Sequence, residues 1–283
     1  MINVEKELPK ALSKEEANIR DIQSSFRALK RLTQKEPQDN LYRIVQEVVK
    51  IEKALKQSRL DEFVKEGITQ HIQPIKSKIP ELEEKAKKSF GQRLEQTLRD
   101  EGFELTGHYP TLKVMFYTLK IDLGNNSVEI WYGPEQEKLE SLKPIPKTIT
   151  QKLKNAHAQI TQRKFNNKTF LSNLQKAYSV VVHHTGGKIG DAAPITDVLS
   201  TFAFLIQSRR FKMDPLKEHY REYGRVFFSY DLFRLKERRI ENRELSLVTA
   251  TRAYTRRRSG FLWIPSNERG DGSYISHIKF RVV

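Results

Sequence analysis

Four arginines fall within seven residues, Arg252, Arg256, Arg257 and Arg258, directly before a Ser259-Gly260 turn signal. A guanidinium presents a planar fork of donors that matches phosphate oxygens two at a time, so such a cluster points to contact with a nucleic-acid backbone. A second basic run, Arg209, Arg210 and Lys212, closes an apolar helical pattern and extends the same patch if the intervening helices pack as in a winged helix. The plainer alternative is a solvated turn whose arginines pair with Glu241, Glu244 or an acidic subunit. Phe261 and Trp263, just beyond the cluster, read as core anchors of a returning strand rather than as base-stacking platforms.

Other constellations are weaker. A metal-dependent nuclease needs clustered carboxylates with a nearby lysine. The nearest approach is Asp122 with Glu129, on the two sides of a Gly124-Asn125-Asn126 turn, and it lacks the acidic-x-lysine step. Gly186-Gly187-Lys188 resembles a phosphate loop only in part, because Val182 stands where the first glycine belongs and Ile189 follows the lysine. His183 and His184 are adjacent and have no acid at ligand spacing, so they read as helix-end residues. No serine–histidine–acid set is legible, and no catalytic residue, metal ligand or cofactor is assigned.

Composition narrows the partner class. The 283 residues carry a net charge of +16, with 51 Lys and Arg against 35 Asp and Glu, which favours a polyanionic partner. Fourteen of the 22 arginines lie in the last 97 residues, so the C-terminal third is the candidate contact surface. The absence of cysteine excludes disulfides, thiolate zinc sites and cysteine nucleophiles, and fits a reducing, cytoplasmic setting. No secretory h-region opens the chain and no apolar run has the length of a membrane span, so no membrane partner is expected.

The elements that must position these residues follow from apolar spacing. Leu12, Ile19, Ile22, Phe26 and Leu29 step by three, four and seven, and Pro37 to Asn40 interrupts them. Leu41, Ile44, Val48, Ile51 and Leu55 then form a narrow stripe, the pattern of a coiled-coil seam. That stripe either closes an antiparallel helical hairpin on itself or docks a partner's helix. A third run, Ile68 to Ala86, contains Pro74 and Pro80, which predicts a kink or a restart near Pro80. After Gly102 the chain turns to strands, with a hairpin over Leu112–Tyr132, then helices near 149–160, 170–182 and 194–206.

From Pro215 the spacing predicts one helix with Tyr220, Tyr223, Phe227, Tyr230 and Arg234 on a single face, leaving Lys217, Arg221, Arg225 and Arg234 as a limited reading surface. A strand over 245–251, the basic tip, and a strand over 261–264 complete the outline of a basic hairpin.

The expected fold is therefore α+β. It comprises a helical, coiled-coil-like arm (1–101), an α+β region with a β-hairpin (102–190) and a winged-helix-like basic module (191–283). The expected function is a non-catalytic, nucleic-acid-binding accessory subunit of a multiprotein complex, of the kind that serves DNA maintenance, repair or prokaryotic defence. Its expected partners are duplex DNA, held through phosphates, and a protein docked on the helical arm, such as a separate ATPase subunit. A nuclease whose acids assemble only in three dimensions and a pure interaction scaffold are the alternatives.

Overall fold

A computed structural model of the protein describes residues 4–256 and 258–282, and the side chains of 9–256 and 259–282. It is a mixed α+β chain, with long helices first and antiparallel sheets after them. It divides into two compact units. One comprises residues 1–96, 121–128 and 143–146; the other comprises 97–120, 129–142 and 147–283. No helix among the described residues is long and apolar enough to cross a membrane.

In the first unit, α1 (Val4–Leu32) and α2 (Leu41–Gln57) pack together, and α3 (Glu62–Asp100) adds its first two-thirds to their core. The apolar stripe of α2 is spent here. Leu41, Ile44, Val48, Ile51 and Leu55 are all buried, with Ile44 and Ile51 at 0% exposure. This corrects the expectation that the stripe is a docking face, because its apolar partners are residues of the same chain, Ile22 and Leu29 among them. Bidentate pairing of Arg93 with Asp39 at 2.7 and 2.8 Å ties α3 to the turn that precedes α2. Of the two expected outcomes, the restart near Pro80 does not occur, since α3 runs through both Pro74 and Pro80. Both prolines lie on the exposed face, where water can satisfy the carbonyls that lose an N–H partner.

The strands β1 (Leu105–His108), β2 (Thr111–Val114), β3 (Tyr117–Asp122), β4 (Ser127–Tyr132) and β5 (Glu137–Leu142) form a sheet in chain order. Alternation sets its buried face: Val128, Ile130 and Tyr132 point inward along β4 while their neighbours are half-buried. Two helices come next, α4 (Pro146–Thr161) and α5 (Asn167–His184), the latter capped by Asn166, whose Oδ1 accepts from Thr169 N at 2.9 Å.

The remaining elements are β6 (Ala193–Pro194), α6 (Ile195–Leu205), α7 (Arg209–Met213), α8 (Arg225–Arg234), β7 (Arg239–Ile240), β8 (Arg243–Thr249), α9 (Arg252–Thr255), β9 (Leu262–Pro265) and β10 (Gly272–Val282). β10 is the centre of their sheet. It pairs with β8 along one edge and with β6 and β9 along the other, since Ile275 is opposite both Thr249 and Leu262. Core residues from α5, α6, α8 and this sheet, among them Tyr178, Phe202, Phe228, Ile278 and Phe280, make one continuous cluster.

Two departures from the sequence expectation concern this region. The helix expected from Pro215 begins only at Arg225. Residues 217–219 make a single 3-10 turn, and Gly224 is extended at the start of α8. Gln207 explains the break: its Nε2 donates to Arg221 O at 3.0 Å and its Oε1 accepts from Arg221 N at 2.8 Å. Those are the backbone groups that a helix through Arg221 would need. Likewise, β8 and β9 do not form a hairpin with each other, because β10 lies between them.

Trp263 on β9 is closely enclosed within the second unit. Its ring meets Tyr132 edge-on at 5.5 Å, and its carbonyl accepts from Ser229 Oγ at 2.5 Å. A Cβ on Gly133 would stand 2.6 Å from the indole, as would one on Gly272, and Gly133 also has φ +70°. The close approach therefore requires glycine at both positions. Trp263→Ala should cost about 3–5 kcal/mol of unfolding free energy in urea titrations, and Gly133→Ala, by overpacking against the ring and straining the backbone, about 1–3 kcal/mol or more.

Two histidines make stability pH-dependent. Burial lowers the pKa of His157, against a small opposing effect of Glu268, and burial likewise lowers that of His277 against Asp197. His157 Nδ1 lies 3.2 Å from the hydroxyl of Tyr117, whose own pKa burial raises far above its usual value. Burial makes both imidazoles harder to protonate in the folded chain. The unfolded chain then takes up these protons first. Stability should be level above about pH 7.5 and fall as pH drops through about 6.5. Replacing both histidines with glutamine should flatten that fall in denaturation midpoints measured across the range.

Candidate nucleic-acid interface

The basic cluster lies on the link between β8 and β9. Ala250 N donates to Tyr274 O at 2.7 Å, ending the ladder, and Thr251 O then accepts from Tyr254 N and Thr255 N, which starts the single helical turn of α9. Arg252 and Arg256 are four residues apart on this turn, hence on one side of it, and both are exposed. Arg257 lies outside the described residues. Arg258 opens a 3-10 turn, and its side chain also lies outside them. The link is anchored from beneath: the Tyr254 ring meets His277 edge-on at 4.9 Å, and a Cβ on Gly260 would stand 2.8 Å from Tyr254 O.

That anchor also locates the cluster. His277 is the strand partner of Pro194, the residue before α6, so Tyr254 and its neighbouring arginines lie near the start of that helix. Arg209 and Arg210 come after the other end of α6, whose 11 residues span about 16 Å. The structure thus gives two basic groups, one at each end of α6. Both arginines of the second group are exposed on α7, which Ser208 caps by accepting from Phe211 N at 3.2 Å. Lys212 is used differently. Its ammonium donates to Leu205 O at 2.7 Å, satisfying a carbonyl at the negative end of α6.

The helix expected to carry a reading face is closed off. Every residue of α8 is buried or half-buried. Tyr230 packs on Phe116 at 5.7 Å, and Ser229 shares a hydrogen bond with Tyr132 at 3.2 Å. Arg225 pairs with Glu137 and donates to Phe261 O at 2.7 Å. Arg234 donates to Arg163 O at 3.0 Å and stacks its guanidinium 4.1 Å from the Phe165 ring centroid.

No family model, curated protein or solved structure matches this chain. Its chemistry therefore has to be read from its own residues.

The centre that sequence reasoning missed is Asp231, only 2% exposed. Its carboxylate accepts from Arg163 Nη2 at 3.1 Å and from Tyr223 OH at 2.7 Å, and it faces Arg234 Nη2 at 2.6 Å. Burial first, then the adjacent carboxylate, push the Tyr223 phenol far above its ordinary range, so it remains a donor. Arg163 in turn stacks 4.2 Å from the Phe227 ring centroid. Arg163 and Asp231 are 68 residues apart, and neither has a local signature, so nothing in the sequence pairs them.

The alternative sites are engaged locally. Asp122 accepts from Asn125 N and Nδ2 at 2.9 and 2.7 Å, and those bonds hold its pKa low. Glu129 pairs with Lys138 and accepts from Trp131 Nε1. Among the described residues no group of three or more His, Asp or Glu side chains is placed to hold a metal ion. His183 and His184 are exposed at the last turn of α5, and the Gly186-Gly187-Lys188 segment is closed by Asp191, whose Oδ2 accepts from Lys188 N at 2.7 Å.

Asp231→Ala would leave two guanidinium groups without their anion. It should lower unfolding free energy by about 3–5 kcal/mol, and Arg163→Met in that background should recover part of the loss, as read from chemical denaturation.

Proposed function

We propose that this protein is a non-catalytic nucleic-acid-binding subunit that holds the phosphate backbone through the link between β8 and β9, with no base-sequence preference at α8. The observation that carries this reading is how its arginines are used. Arg93, Arg163, Arg225 and Arg234 are bound to carboxylates of the chain itself. Arg252, Arg256, Arg209 and Arg210 are exposed and, among the described residues, form no ion pair. With a chain charge of +16 around them, exposed guanidinium groups favour a polyanion.

The winged-helix reading draws support from connectivity. Helix α5, the short β6, helices α6 and α8, then β8 and β10, with β10 between β6 and β8, keep the winged-helix order. In that arrangement the basic link takes the place of the wing. The helix that would enter a major groove is α8, and since its faces are covered, phosphate contact by the link is the mode that fits. A protein partner, such as an ATPase subunit, would have to use a surface other than the α2 stripe.

Salt titration tests this directly. The slope of log K against log salt for duplex DNA should fall by about 2 units in the Arg252→Ala, Arg256→Ala double variant, as expected for two lost phosphate contacts. Failure of the wild-type protein to bind DNA or RNA even at low salt would overturn the reading and leave the arginines to an acidic protein partner.

A further inference from the structure

A groove of about 850 Å³ runs between the last turns of α1 and the first half of α3. Phe26, Leu29, Val64, Ile68 and Ile75 give it an apolar lining, and the Phe26 ring meets His71 edge-on at 5.3 Å. Its rim on α1 is basic. Arg27 and Lys30 are exposed there and, among the described residues, pair with no carboxylate.

Beside the groove, the same helix carries a projecting ring. Phe63 is 82% exposed, and its backbone is fixed because Asp61 Oδ1 accepts from Phe63 N at 2.9 Å. Glu62 and Glu66 are exposed on either side of it in sequence, and Glu62 reaches Lys65 at 3.6 Å. Helical spacing puts both acids on the side of Phe63 away from the groove. Gly67 follows one turn after Phe63 and lies at the edge of the groove, exposed. Glycine inside a helix weakens it. A Cβ on Gly67 would meet nothing within 4 Å, so packing within the chain does not call for glycine there.

We propose that the occupant of this groove is Phe63 of a second copy of the chain, in a two-fold dimer where each copy gives one ring and receives one. In such a contact the axis passes midway between the ring and the groove. Gly67 is the residue that lies there, so the two copies of α3 cross where a missing side chain lets their backbones approach. Charge fits the same arrangement. Seating Phe63 in the groove carries Glu62 and Glu66 toward Arg27 and Lys30 on the far rim. A different protein would have to bring both an exposed apolar side chain and an acidic flank, and this chain already carries both beside its own groove. The dimer does not depend on the nucleic-acid reading above.

The test is sedimentation velocity on the full chain from about 1 to about 200 µM, a span that brackets micromolar association. The weight-average mass should rise toward twice that of one chain. Phe63→Ala should weaken association at least about tenfold, as loss of a central aromatic anchor does. Gly67→Leu should weaken it as strongly while leaving the thermal midpoint unchanged or raised, because leucine is the better helix former. The double variants Arg27→Glu, Lys30→Glu and Glu62→Lys, Glu66→Lys should each self-associate poorly, and an equimolar mixture of the two should regain the wild-type mass.

A wild-type chain that stays monomeric across the range overturns the dimer and leaves the groove to a different protein. A dimer that Phe63→Ala and Gly67→Leu leave unchanged, or charge variants that fail to recover on mixing, overturns this face as the contact. Phe63→Ala alters an exposed side chain, so that comparison decides the matter even if Gly67→Leu fails to fold.

Discussion

A carboxylate taken almost wholly out of water must be compensated on the spot, and Asp231 governs much of the second unit for that reason. Its compensation comes from three directions: Arg163 from the link after α4, Arg234 from its own helix, and Tyr223 from the extended segment before α8. Both guanidinium groups are held in turn by rings, Arg163 over Phe227 and Arg234 over Phe165. The result is that α8 is drawn inward and its arginines face carboxylates and carbonyls of the chain. The same ion network that holds this helix therefore keeps it off the exposed surface.

Trp263 imposes the second constraint. A ring wedged against Gly133 and Gly272, with Tyr132 at its edge, leaves β9 only one place to lie, along the β6 edge of β10. β8 occupies the opposite edge. The chain between them must cross the sheet end, and it does so as helical turns rather than as a tight hairpin. Four arginines in a two-residue turn would repel one another at close quarters. Spread along helical turns, Arg252 and Arg256 share one side of the link.

The legible part of this structure was the part written in periodicity. The stripe from Leu41 to Leu55 does form one buried face, and the strands on either side of Gly124-Asn125-Asn126 do pair in a sheet. Both signals depend only on neighbours within a turn or a strand. The helix expected from Pro215 had an equally good pattern, yet Gln207, distant in sequence, claims the backbone of Arg221 and holds the segment extended. Apolar spacing reports which side chains will be buried; it does not report a side-chain amide that competes for backbone hydrogen bonds. Tyr223 is buried as its spacing implied, but in the segment before α8 and not on a helix. The Asp231 centre was illegible for a related reason, since an acid within a helix and a lone arginine in a link carry no mark of each other.

For function, the consequence is a division of labour among arginines that composition cannot resolve. Fourteen arginines in the C-terminal stretch suggest one broad basic face, but two of them, Arg225 and Arg234, are counter-ions of the fold. A guanidinium stacked on a ring and paired with a buried carboxylate has already used its directional donors, and its charge is offset locally. The arginines of the link and of α7 have no such offset among the described residues, so their fields extend into solvent from the two ends of α6. An extended polyanion is a better match to two separated basic groups than a compact one. It can span both without having to bend around a single point, and a strand that did so would pass over the surface built by α6 and its neighbours. The proposed contact with an extended phosphate chain thus rests on where the fold consumes positive charge as much as on where it displays it.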